Sequence, residues 1–157
     1  VMHLPEELSR VNNVTIITNN LALAAHAMRC ENLNVMVLPG QLQRRTYSLT
    51  GADTIRALEQ YNITKAFLAA TGTTDTTVTN SSPFEYEIKH MVIQRVRECY
   101  LLLCSNKFGH SGLMNYAEFS DLKGVVTDKM PEARFRDAIL GAGARIYTAE
   151  DPEAPEA

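Results

Sequence analysis

Short runs of β-branched and aliphatic residues, each followed by a stretch with helical period, recur along this chain and confine it to a narrow set of folds. Val14-Thr15-Ile16-Ile17-Thr18 reads as a buried strand. Residues 21–28 follow as a helix, with Asn19 and Asn20 placed to cap it. Val35-Met36-Val37-Leu38 is a second strand, stopped by Pro39-Gly40. Residues 46–50 alternate and are expected as a strand that pairs antiparallel or lies at an edge, residues 52–61 as a helix, and Lys65-Ala66-Phe67-Leu68-Ala69 as the next strand. Residues 71–82 hold six threonines, one glycine and no apolar period, so a long loop is expected. Ser82, Pro83 and Glu85 then form a helix start, with Ser82 as cap, Pro83 at the first helical position and Glu85 completing a capping box. That helix is expected to bury Ile88, Met91, Val92 and Val96. A strand over 100–104, a polar turn over 105–112, a strand at Val125-Val126-Thr127, a helix from Pro131 to Leu140 and a last strand at Arg145-Ile146-Tyr147 complete the pattern. Gly141-Ala142-Gly143 follows a helix and reads as its stop. Buried strands alternating with helices predict an α/β fold: a mostly parallel, Rossmann-like sheet with helices on both faces.

Hydrophobic residues make up 45% of the 157 and charged residues 21%, enough apolar surface for a core in one domain over residues 1–149. Residues 150–157 are acidic and proline-rich and are expected to be disordered. No apolar run approaches the roughly 20 residues of a membrane helix, and no signal peptide opens the chain, so the expectation is a cytoplasmic protein without a membrane partner. The three cysteines are unpaired in spacing and the four histidines are scattered, so neither a metal nor a cofactor is expected. A net charge of -3 argues against nucleic-acid reading by this stretch itself.

In open α/β sheets ligands bind beyond the carboxyl ends of the strands. That rule selects the turns Thr18-Asn19-Asn20, Pro39-Gly40-Gln41, Ala70-Thr71-Gly72-Thr73-Thr74, Ser105-Asn106-Lys107 and Asp128-Lys129. Loop amides, hydroxyls and a lysine at a strand end suit an anion. Each residue also has a plainer reading. Asn19 can be a helix cap, Gly40 a turn former, the threonine-rich segment mobile filler, and Lys107 a solvated surface lysine. Lys89 can be half of a surface ion pair, and the capping box accounts for Glu85. Their common place at one edge of one sheet is the stronger argument. No nucleophile–base pair, nucleophile elbow, Walker loop or GxGxxG occurs.

Several of these strings together resemble the sensor domain of the DeoR family of transcriptional regulators. Lys65-Ala66-Phe67-Leu68-Ala69-Ala70-Thr71-Gly72 resembles its strand and Gly-containing turn, and Glu85-Tyr86-Glu87-Ile88-Lys89 its Glu-rich helix start ending in lysine. Leu102-Leu103-Cys104-Ser105-Asn106-Lys107-Phe108-Gly109 is similar to its Ser-Lys-Phe-Gly turn, Val125-Val126-Thr127-Asp128 to its late strand, and Thr18-Asn19 and Leu38-Pro39-Gly40 to its early turns. The resemblance implies a domain related to ribose-5-phosphate isomerase. It implies an effector that is a sugar phosphate, homo-oligomeric assembly, and DNA contact only through an N-terminal helix-turn-helix. That module and the first strand-helix unit of the sensor are expected to be missing here. Where the family commonly has aspartates this chain has Thr71 and Cys104, and Pro39 replaces a glycine, which makes the site less acidic.

Aligned on the Asn106-Lys107 turn, the isomerase's general-base glutamate falls at Lys89, and a protonated lysine cannot remove a carbon-bound proton. A shift of two residues in the alignment brings Glu87 to that position instead. The resulting expectation is a repressor's ligand-sensing domain, not an enzyme. Asn19, Gly40, Thr71, Gly72, Thr73, Lys89 and Lys107 would line its effector pocket. The rival readings are a sugar-phosphate isomerase or related transferase on the same fold, and a structural oligomerisation domain with a vestigial pocket.

Overall fold

A computed structural model of the chain describes residues 1–149; the acidic 150–157 segment lies outside the described residues. The chain divides into two compact units, one over Val1–Tyr61 and one beginning at Asn62.

In the first unit, helix α1 (Leu4–Leu8) leads to β1 (Val14–Thr18), α2 (Leu21–Ala27) and β2 (Leu33–Val37), and β1 and β2 pair in parallel from Val14↔Leu33 to Thr18↔Val37. The side chain of Asn20 caps α2 by accepting from Leu23 N at 2.9 Å. β3 (Gln41–Gln43) and β4 (Ser48–Thr50) form an antiparallel hairpin that precedes α3 (Ala52–Leu58). The segment expected as a strand over 46–50 is therefore strand only over its last three residues, and it pairs antiparallel.

The second unit is built on a parallel sheet of order β11-β10-β8-β5, from β5 (Lys65–Ala69), β8 (Glu98–Leu102), β10 (Gly124–Thr127) and β11 (Arg145–Thr148). Side chains alternate across it as a strand period of two requires. Ala66, Cys99, Leu101 and Val125 are buried on one face, while Phe67, Tyr100 and Tyr147 form an aromatic row on the other. Gly124 leaves the space for that row, since a Cβ there would lie 2.6 Å from the Tyr147 ring. Helices α4 (Pro83–Arg95) and α5 (Ala133–Gly141) pack against the sheet through β5 and β11 and bury Ile88, Val92, Phe135 and Ile139.

Residues 71–82 are not the loop expected from their polarity. They form β6 (Gly72–Thr73) and β7 (Thr77–Asn80), an antiparallel hairpin that β9 (Met114–Glu118) extends to three strands. The physical reason is that threonine is β-branched and its hydroxyl can be satisfied within a sheet. Thr79 Oγ1 donates to Gly72 O at 2.9 Å, and the Thr74 and Thr77 hydroxyls pair at 2.6 Å across the turn. Thr73, Val78 and Thr79 are fully buried. No helix among the described residues is long and apolar enough to cross a membrane.

Candidate functional site

All four strands of the second unit's parallel sheet run the same way, so the turns that follow them share one edge. β5 ends in two consecutive backbone carbonyls, Ala69 and Ala70, and a lysine ammonium converges on each. Lys89, from the second turn of α4, donates its Nζ to Ala69 O at 2.9 Å. Lys107, from the 3-10 turn Ser105–Lys107 after β8, donates to Ala70 O at 3.4 Å.

Lys89 sits in a dense polar network. Its Nζ lies 3.3 Å from Glu85 Oε2, and each side chain is only 16% exposed. Asn80 Nδ2 donates to the same carboxylate oxygen at 3.1 Å, and Thr71 Oγ1 donates to Asn80 Oδ1 at 3.2 Å. Thr71 Oγ1 also accepts from Ser81 N, so its position is fixed. Tyr116 closes the other side: its hydroxyl donates to Ala69 O at 3.2 Å and its ring lies 5.4 Å from Lys89 Nζ, within cation–π range.

Burial pushes the Lys89 pKa below the ordinary lysine value. Glu85 opposes that shift, and the nearby Lys107 adds to it. Burial also holds the Tyr116 phenol well above its usual range, so it remains a donor. Lys107, by contrast, is exposed. Its turn is anchored from β10: Asp128 accepts from Ser105 N at 2.5 Å and from Ser105 Oγ at 3.0 Å. Those bonds hold the Asp128 carboxyl below its usual value.

The other residues singled out from sequence have these places. Thr71 is exposed at the rim. Gly72 is buried where backbones meet: a Cβ there would lie 1.8 Å from His110 O and 2.7 Å from Lys107 O. Thr73 is fully buried and bridges Phe108, and its Oγ1 has no hydrogen-bond partner among the described residues. Asn19 and Gly40 belong to the first unit. The Asn19 amide donates to Leu49 O at 2.9 Å, tying the end of β1 to β4. Gly40 has a φ of 150°, and a Cβ there would lie 2.2 Å from Thr54 Oγ1, whose hydroxyl donates to Pro39 O. Thr71, Lys89 and Lys107 thus share one polar cluster, with Gly72 and Thr73 shaping the backbone beneath it. Cys104 is exposed beside the Lys107 turn.

Asn80, Tyr116 and the pairing role of Glu85 escaped the sequence reading. Glu85 carried a signal, since it stands four residues before Lys89 on a helix. Ser82 does cap α4, accepting from Glu85 N at 3.4 Å, and the Glu85 carboxylate serves Lys89 and Asn80. A separate depression of about 230 Å³, lined by Thr76, Glu118, Phe119, Ser120, Ala138 and Ala142, offers no cation. Among the described residues no group of three or more His, Cys, Asp or Glu is placed to hold a metal.

The comparisons with known proteins agree with one another. The family model described as the DeoR C terminal sensor domain matches residues 1–129. The chain is 42% identical over 125 residues to the HTH-type transcriptional regulator IolR of Bacillus subtilis (strain 168), covering 79% of this chain and 50% of that protein. It is 26% identical to the HTH-type transcriptional repressor GlcR of the same organism, over 88% of this chain and 54% of the relative. It is also 26% identical to the glycerol-3-phosphate regulon repressor of Escherichia coli (strain K12), over 76% and 48%. The chain thus spans about half the length of these relatives, all of which are transcriptional regulators. With more than half of its residues matched by the family model, the chain belongs to the DeoR C-terminal sensor domain family.

Proposed function

We propose that the cluster at the end of β5 is the effector site of a sugar-metabolism repressor, and that it binds a phosphorylated small sugar or polyol without transforming it. The observation that carries this reading is the convergence of Lys89 and Lys107 on the adjacent carbonyls of Ala69 and Ala70. Lys107 is exposed and serves as the point charge for a phosphate. Thr71 and the exposed Asn106 stand beside it to meet hydroxyls. A repressor of a glycerol-3-phosphate regulon is among the relatives, and a phosphorylated polyol is the class of molecule these groups suit.

Catalysis is not part of the reading. Proton abstraction next to a carbonyl needs a carboxylate free to accept a proton at the reacting carbon. The carboxylate in this cluster, Glu85, is engaged by Lys89 and Asn80, while Glu87 is exposed. Effector binding would act by shifting a population of states, which requires different affinities for those states. DNA contact belongs to a helix-turn-helix in the part of the relatives that this chain does not match, and the working form is a homo-oligomer.

The test combines binding and turnover. A panel of pentose, hexose and polyol phosphates is expected to raise the melting temperature of the chain, by mass action on the folded state, with no isomerase activity. Turnover that disappears in Glu87→Gln overturns the sensor reading in favour of an enzyme. A panel that leaves the melting temperature unmoved favours a purely structural domain.

A further inference from the structure

Glu85 has a place in the cluster that helix capping does not demand. Its carboxylate is 16% exposed, lies 3.3 Å from Lys89 Nζ, and is held from the other side by Asn80 Nδ2 at 3.1 Å. Asn80 is itself buried and fixed by the Thr71 hydroxyl. The carboxylate is thus positioned by a side chain that carries no charge, in a setting where Coulombic effects are stronger than in water. Across the cluster the charges of Glu85 and Lys89 cancel. Lys107 is exposed, its Nζ donates to a carbonyl, and no ion pair of the described residues includes it.

We infer that Glu85 is the specificity-determining residue of this site: an internal counterion that cancels Lys89 and leaves Lys107, among the described residues, as the cluster's lysine without an ion pair. The site therefore accepts a ligand with one phosphate-type group and discriminates against one carrying two. A first anionic group meets Lys107. A second group reaching toward Lys89 meets the Glu85 carboxylate next to it, and like charges in a part-buried setting repel. Lys89 gives little in return, because its proton-bearing nitrogen already serves Glu85 and Ala69 O.

This inference rests on the reading of the cluster as an anion site, and the experiment separates the two. Inorganic phosphate and pyrophosphate are titrated into the 157-residue chain, the Glu85→Gln variant and the Glu85→Gln/Lys89→Gln double variant. Backbone amide shifts of residues 105–107 are followed at about pH 6, because burial lowers the Lys89 pKa and acidity favours its charged form. In the parent chain, pyrophosphate is expected to bind no more than about threefold tighter than phosphate. In Glu85→Gln, pyrophosphate should gain roughly tenfold, about 1.4 kcal/mol, while phosphate changes far less. The double variant should return to the parent's preference. Pyrophosphate binding tenfold tighter than phosphate in the parent chain overturns the inference even if no variant folds. An equal gain for both anions in Glu85→Gln overturns it too. If neither anion moves residues 105–107 in the parent chain, the anion-site reading itself fails.

Discussion

Replacing Gly72 by alanine would put a methyl carbon 1.8 Å from His110 O and 2.7 Å from Lys107 O, both backbone atoms that no side-chain rotation can move aside. An unstrained contact between heavy atoms is about 3.5 Å, so the 107–110 segment must retreat by roughly 1.7 Å. Retreat strains what holds that segment in place: the bridge between Thr73 and Phe108 and the bond from Lys107 N to Cys104 O. Overpacking of this kind costs about 1–3 kcal/mol, and the involvement of backbone on both sides places Gly72→Ala at the upper end. Urea unfolding should show a lower midpoint with an unchanged slope, the sign of a lost native contact and not of an altered denatured state. The same displacement carries Lys107 Nζ away from Ala70 O, so phosphate binding at residues 105–107 should weaken in parallel. A variant within about 0.5 kcal/mol of the parent, with unshifted amides at 107–110, would refute the claim that Gly72 is required for this backbone approach.

Leu101 is fully buried on β8, between β5 and β10, and Leu101→Ala should cost about 2–5 kcal/mol in urea or thermal unfolding. Val126→Ala, on the open face at 38% exposure, should cost less than about 1 kcal/mol, and a reversal of that order would contradict the assignment of the two faces. Asp128 gives a pH signature. Its folded pKa is depressed by the bonds from Ser105, so the contribution of those bonds is present above the ordinary carboxylate range and is lost as pH falls through the lowered folded value. Carboxyl NMR should place the Asp128 midpoint below the ordinary aspartate value, and Asp128→Asn should increase the exchange rate of the Ser105 amide.

The strands rich in β-branched and aliphatic residues were legible from sequence because those residue types favour an extended backbone, although the burial expected along β1 is met only at Thr18. β1 and β5 match their expected spans, and β10 and β11 differ only at their ends. β8 begins two residues earlier than expected because Glu98 joins the sheet at an exposed end, where it pairs with Lys65 at 3.6 Å. The polarity of threonine masks the β6–β7 hairpin in the sequence, whereas its branched Cβ and the bonded hydroxyls of Thr74, Thr77 and Thr79 favour a strand. β9 carried no alternation to find: Tyr116 and Ala117 are adjacent in sequence and both buried. At the site, Lys107 was legible from its place in the turn after a strand, and Lys89 from its place in the early turns of a helix. Asn80 and Tyr116 were not, because each lies on one of those unforeseen strands and reaches the cluster only through sheet pairing. Asn19 and Gly40 were legible as special residues, but the bonds and close contacts they make in the first unit account for them locally.

Amide-shift mapping of the chain against ribose 5-phosphate, fructose 6-phosphate and glycerol 3-phosphate, each paired with its unphosphorylated form, is the most direct check on the cluster at the end of β5 as a phosphate site. At least one phosphorylated compound should perturb residues 69–72, Lys89 and residues 105–107 together, its unphosphorylated form should not, and Lys107→Met should abolish the response. Perturbations gathered at residues 118–120, or a response indifferent to Lys107→Met, would contradict it.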